Sequence, residues 1–123
     1  MNAQARLPSA AATVVGLQSR PELNGAEVTT KRYLVDKGRY AVQLSQGADG
    51  QQEVIHLKPT SLVLAVGAAV VAAGLTGASE LNGVRGRVIS WDEEAGRYAV
   101  RLDGERRPKR LKPDNCRADV LAL

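Results

Sequence analysis

One sequence unit occurs twice in this chain. Residues 16–45 and 74–103 align without a gap at a constant offset of 58. Gly16-Leu17 returns as Gly74-Leu75, Glu22–Gly25 as Glu80–Gly83, Gly38–Val42 as Gly96–Val100, and Leu44 as Leu102. Leu57-Lys58-Pro59 returns as Leu111-Lys112-Pro113 at an offset of 54, so the first copy holds four extra residues in the loop ahead of that segment. A repeat of this kind sets the architecture, since each copy is a folding unit and stacked units share the apolar surface that one alone leaves uncovered. A unit of roughly 55 residues buries only about 60% of its unfolded surface, which predicts that the copies pack on each other or on a partner. The repeated residues are mostly Gly, Leu, Val and Tyr, a composition that belongs to a fold and discourages an active-site reading.

Each copy parses as short strands. Thr13–Leu17 and Val70–Leu75 form a first β segment, and Glu-Leu-Asn-Gly a tight turn, because Asn-Gly tolerates positive φ. A second strand covers about Glu27–Val35, or Gly86–Asp92. Lys37-Gly38 and Ala95-Gly96 mark the next turn. Arg-Tyr-Ala-Val-x-Leu then alternates with a period of two, placing Tyr40, Val42 and Leu44 on one face and Arg39, Ala41 and Gln43 on the other. The same parity sets Tyr98, Val100 and Leu102 against Arg97, Ala99 and Arg101. A glycine-bearing loop (Gln46–Gln51, or Asp103-Gly104) leads to a fourth strand ending at Leu57 or Leu111. Lys-Pro breaks that strand, Pro-Thr-Ser-Leu and Pro-Asp-Asn-Cys predict a single 3-10 turn, and Val63–Val66 or Asp119–Leu121 form a final strand.

Five short strands with a 3-10 turn before the last is the layout of a small SH3-like barrel, whose closure manages strand edges that would otherwise aggregate. The repeat resembles the SH3-like or KOW-like barrel modules found in tandem in larger eukaryotic proteins, with the pattern G-L, E-L-N-G, G-x-V, R-Y-x-V-x-L and L-K-P-x-N-L. The second copy matches it through Gly74-Leu75, Glu80–Gly83, Gly86-Arg87-Val88, Arg97–Leu102 and Leu111–Asn115, departing at Cys116. The first copy departs more: Val28 and Thr30 replace the Gly and Val of G-x-V, and Ser61 replaces the Asn. The resemblance spans residues 13–121 and implies an all-β protein of two tandem SH3-like five-stranded barrels with short 3-10 turns. The expected division is an N-terminal tail over 1–12, repeat 1 over 13–66 and repeat 2 over 67–123. Such barrels serve many binding roles, so the resemblance speaks for fold far more than for function.

Few residues invite chemistry. A lone cysteine, Cys116, rules out an internal disulfide and any multi-cysteine zinc site; it aligns with Leu62 and reads as a small buried apolar residue. His56, the only histidine, aligns with Arg110, as a solvent-facing strand position would. Asp92-Glu93-Glu94 could offer paired carboxylates but falls on a hairpin turn. Gly83-Val84-Arg85-Gly86 lacks both the lysine and the strand–turn–helix setting of a phosphate-cradling loop. Residues 62–75 are the most apolar stretch; they are shorter than the roughly 20 residues that span a bilayer, and they lie where the last strand of copy one runs into the first of copy two. Tyr33 and Trp91 are the aromatic candidates for a surface, yet they align with each other and read first as core residues closing the end of a strand. Neither a proline-peptide groove nor an aromatic cage can be built from so few rings. The expectation is therefore no catalytic residue, no metal and no cofactor.

The net charge of +4 is a mild basic bias that permits a nucleic-acid partner without demanding one. Its sharpest local expression is Arg106-Arg107-Pro108-Lys109-Arg110-Leu111-Lys112, five cations in seven residues. Copy one has Glu53–Lys58 at the aligned positions. The strip reads either as an edge strand protected by charge and proline, or as a docking strip for RNA phosphate or an acidic protein surface, widened by Arg85, Arg87 and Arg101. Stacking aromatics for single-strand recognition are scarce. The sequence thus predicts a non-enzymatic interaction or structural subunit docking in a larger protein assembly. The alternative is a nucleic-acid-associated protein working through the basic strand of repeat 2. No membrane span and no small-molecule substrate are expected, and the compartment expected is intracellular, the cytoplasm first with an organelle left open.

Overall fold

A computed structural model describes residues 11–44 and 53–119 of the chain. The expected tail up to residue 10, the loop Gln46–Gln51 and the residues after Asp119 lie outside the described residues. Ten strands are present among the described residues: β1 (Ala11–Val14), β2 (Glu27–Leu34), β3 (Arg39–Leu44), β4 (Val54–Leu57), β5 (Leu62–Leu64), β6 (Ala69–Ala72), β7 (Arg85–Asp92), β8 (Arg97–Leu102), β9 (Lys109–Leu111) and β10 (Cys116–Ala118). They form two antiparallel five-stranded sheets, ordered β4-β3-β2-β1-β5 and β9-β8-β7-β6-β10, so the two halves share one topology. There is no α-helix among the described residues, and the all-β expectation holds.

The repeated motifs have clear structural jobs. In Glu-Leu-Asn-Gly, Asn24 (φ −61°, ψ 132°) and Gly25 (φ 90°) form the corner of a type II turn closed by Ala26 N–H donating to Leu23 O. Asn82 and Gly83 repeat it. The preceding Pro21–Leu23 and Ser79–Leu81 wind as 3-10 turns, which the tight-turn reading did not anticipate. The Asn24 carboxamide then clamps the backbone of Leu17, accepting from its N–H (2.8 Å) and donating to its C=O (3.0 Å). Asn82 does the same to Leu75 at the same two distances. Gly-Leu and Glu-Leu-Asn-Gly therefore recur together because they are the two sides of one hydrogen-bonded corner.

A bulge shapes the long strand of each half. Thr30 pairs with Val42 but Arg32 pairs with Ala41, leaving Lys31 as the extra residue. In the second half Ile89 is extra, at the equivalent position. A bulge inserts one residue and reverses the facing of everything beyond it. Thr30 is buried inside, Arg32 turns outward, and Tyr33 joins Tyr40 on the inner side, their rings edge-to-face with centroids 5.0 Å apart. Trp91 and Tyr98 make the matching contact at 4.6 Å. Both Tyr33 and Trp91 are half-buried and packed on the core.

The core runs through both halves as one cluster, including Val14, Val42, Tyr40, Leu62, Val70, Val100, Tyr98 and Leu102. Tyr40, Val42, Tyr98, Val100 and Leu102 are buried as the alternation predicts, with Leu44 packed at the margin. Ala41 is also buried, though its parity is outward. Cys116 is buried at the position of Leu62, and burial pushes its thiol up to about 12.

Several boundaries differ from expectation. The first strand begins at Ala11, so Ala11 and Ala12, placed in the expected tail, belong to β1, and Ala12 is buried. The final strands begin earlier, at Leu62 and Cys116, directly at the end of their 3-10 turns Pro59–Ser61 and Pro113–Asn115. They start there because Val15 N–H donates to Ser61 O and Ala73 N–H to Asn115 O, which extends the ladder back to the turn.

The halves are joined by an exchange of tyrosines. Along β1, Val15 pairs with Ser61 and Ala11 with Ala65, so Leu62 and Leu64 point their backbone groups away from β1, toward the open edge of β5. The Tyr98 hydroxyl fills that edge, accepting from Leu64 N–H (2.8 Å) and donating to Leu62 C=O (3.3 Å). In the reciprocal contact, Ala118 N–H on β10 donates to the Tyr40 hydroxyl at 2.8 Å. The two 3-10 turns over Pro59–Ser61 and Pro113–Asn115 meet each other between these contacts. The arrangement is a pseudo-two-fold interface within one chain.

Candidate functional site

The cationic residues singled out in the second half distribute over its outer face according to strand parity. Arg87 on β7 and Arg101 on β8 are direct cross-strand partners, both exposed and on the same face. On β9, Arg110 lies opposite Ala99 and shares that outer face, whereas Lys109 lies opposite the buried Val100 and turns toward the core side, half-buried. The five cations between Arg106 and Lys112 thus do not form one continuous line; alternate strand residues face opposite ways.

Partners temper the charge. Arg110 pairs with Asp92 at 2.7 Å, Lys109 with Glu105 at 3.5 Å and Arg85 with Asp119 at 3.4 Å. Arg87 donates to Gly67 C=O at 3.0 Å and Arg101 weakly to Arg106 C=O at 3.4 Å. Arg106, Arg107 and Lys112 are exposed and make no ion pair among the described residues. Asp92 accepts from Ala95 N–H at 3.1 Å, and this bond and then Arg110 hold its carboxyl below the usual carboxylate range. It closes the hairpin from one side of the turn, while Glu93 and Glu94 are exposed turn charges.

A shallow groove crosses the outer face of the second half, lined by Ser90, Asp92, Arg97, Ala99, Arg107, Pro108 and Arg110. Ala99 is its floor, since a methyl side chain leaves room between the longer residues on either side. Arg97 was not among the expected site residues. The available signal was its parity, identical to that of Arg101; as part of the repeated Arg-Tyr-x-Val motif it read as scaffold. An equivalent groove crosses the first half over Lys31, Arg32, Leu34, Asp36, Lys37, Ala41, Val54 and His56. Ala41 is the floor there, and His56 holds the place of Arg110. Sequence reasoning missed this groove because the bulge at Lys31, which turns Arg32 outward, leaves no mark in the residue pattern.

Among the described residues no group of three or more His, Cys, Asp or Glu could hold a metal ion, and no helix is long and apolar enough to cross a membrane. No protein-family model matches this chain, and no curated protein matches it.

Proposed function

We propose that the chain is a non-enzymatic interaction or structural subunit built of two tandem SH3-like barrels, residues 13–66 and 67–123, that docks in a larger protein assembly through its exposed cationic outer face. The observation that carries this reading is the division of labour between repeated and unrepeated residues. Most of what the copies share is committed to the scaffold: the Asn24 and Asn82 clamps, the glycine turns, and the Tyr40 and Tyr98 hydroxyls. What they do not share lies outside, where Arg87, Arg101, Arg106, Arg107 and Arg110 stand exposed in the second half. The common strand order of the two sheets, with a 3-10 turn ahead of each last strand, supports the SH3-like reading of each unit.

Replacing Arg106, Arg107 and Arg110 together with glutamine tests the docking role. Exposed charges contribute little to stability, about 0–1 kcal/mol per pair, so the triple variant is expected to fold. Affinity capture from cells, with and without nuclease, should recover a protein partner with wild type and lose it with the variant. Unchanged capture would remove these three residues from the binding face. A second reading, nucleic-acid association, is favoured by Arg87 and Arg101, exposed cross-strand partners that put two positive charges on one outer face open to phosphate. It predicts capture that nuclease abolishes and a steep fall of RNA affinity with added salt.

A further inference from the structure

The two sheets differ at one edge in a way the docking strip does not use. Edges β5 and β10 are each engaged by a tyrosine hydroxyl from the other half. At the opposite edge of the second sheet, Pro108 leads into β9, so one outward backbone position has no N–H to offer, and Lys109 and Arg110 add charge. Both are devices that stop strand addition. In the first sheet the residue aligned with Pro108 is Val54, half-exposed at 53%. Leu44 N–H donates to Glu53 C=O (2.8 Å), which puts Val42–Ile55 and Tyr40–Leu57 among the hydrogen-bonded pairs of the ladder. The N–H and C=O groups of Val54 and His56 consequently point outward from β4, two residues apart, at the spacing an added strand matches.

Beside this edge lies the first-half groove. Val54 and His56 sit on the outer face with Gln43 and Ala41, and Arg32 follows on the next strand. The row Arg32–Ala41–His56 crosses three strands with only a methyl group in its middle. Arg32 is three strand spacings, about 14 Å, from the backbone of an added strand, a gap that an arginine reaching across Ala41 and a glutamate reaching alongside His56 close between them. Lys31, Arg32 and Lys37 against Asp36 leave the groove net positive.

We propose that β4 is a strand-addition site for an extended acidic peptide: the peptide backbone pairs with Val54 and His56, and its outward carboxylates lie beside His56, facing Arg32 and Lys31 across Ala41. Backbone pairing supplies affinity and the alternate side chains supply selectivity, as in other strand-addition complexes. The site goes beyond the second-half docking strip and uses none of its residues.

The probe is a fluorescent synthetic peptide of alternating valine and glutamate, with a valine–lysine peptide as control, titrated by anisotropy against the full chain. Saturable binding of the acidic peptide alone is expected, with slowed hydrogen exchange at the Val54 and His56 amides. Val54→Pro, which copies what the second half already accommodates at Pro108, should weaken binding roughly tenfold through the lost donor. Arg32→Gln should weaken it roughly threefold and flatten its salt dependence. The Arg106, Arg107, Arg110 glutamine variant should bind the peptide as wild type does, which separates failure of this site from failure of the docking strip. The proposal is overturned if the acidic peptide does not bind, if Val54→Pro binds it equally well, or if the second-half variant loses it. It is also overturned if an oligouridylate displaces the peptide from these amides more readily than unlabelled peptide does. Concentration-dependent dimers that Val54→Pro abolishes would assign the edge to a second copy of the chain instead, overturning the peptide assignment.

Discussion

At the residue scale, Tyr98 illustrates how an apolar body with one polar tip can join two sheets. Its ring is buried against Trp91, while its hydroxyl answers a donor and an acceptor at the outer edge of β5, where no strand among the described residues pairs with them. Tyr98→Phe keeps the ring and strands both groups. An unpaired buried donor costs about 1–3 kcal/mol, and a urea titration should show a loss of that size. Tyr40→Phe should behave alike through Ala118 N–H. The same burial sets a pH limit. It pushes Tyr98 up to about 12 from an ordinary 10.0, raises Tyr40 further, and pushes Cys116 up to about 12 from 9.0. The folded state therefore holds these protons longer than the unfolded chain does. Stability is intact below the ordinary values and falls as pH rises from about 9 toward 12. Urea midpoints measured across that range should decline. In Cys116→Ala the decline should begin nearer the ordinary tyrosine value, because only the phenols then remain to titrate.

At the element scale, the Arg-Tyr-Ala-Val-x-Leu strands show what a period of two predicts well. Val100 is fully buried and Arg101 exposed. Val100→Ala should cost about 1–3 kcal/mol in transfer energy and cavity, and Arg101→Ala under about 0.5 kcal/mol; equal losses in denaturant would contradict the strand's facing. The sequence made β3 and β8, the 3-10 turns at Pro59 and Pro113, and the glycine corners legible, because each has a local cause written into adjacent residues. The bulge at Lys31 and Ile89 has no such cause. Its neighbours alternate without a break in the text, and only the pairing partner reveals the extra residue, so Tyr33, Trp91 and the outward turn of Arg32 stayed open. Gly86 shows the same limit. Its copy-one mate is Val28, which suggests an interchangeable position, yet a Cβ at Gly86 would come within 2.3 Å of Arg101 C=O. That glycine lets β7 and β8 approach closely, a demand set by the second sheet alone. The basic strip was legible as composition, but its splitting between faces needed the register of β9.

At the scale of the whole molecule, the exchange of Tyr40 and Tyr98 makes each half complete the other. Separately produced halves, residues 1–66 and 67–123, should each expose the β5 or β10 edge, and mixing them should yield a one-to-one complex by sedimentation, weakened when Tyr98 is phenylalanine. Halves that stay apart and equally stable would show the exchange to be incidental. The covalent tie between them is short. Ala68 N–H donates back to Ala65 C=O (3.0 Å), and Gly67, at φ 88°, turns the chain so that β6 begins at once. So tight a tether gives each tyrosine a very high local concentration of its target strand, which is why no second molecule is needed to supply it. The same geometry makes residue 67 a hinge: a side chain that favours the extended backbone there would straighten the turn, carry the second half out of reach, and trade the internal partner for the matching half of a neighbouring chain, a domain-swapped dimer held by the same three tyrosine hydrogen bonds twice over.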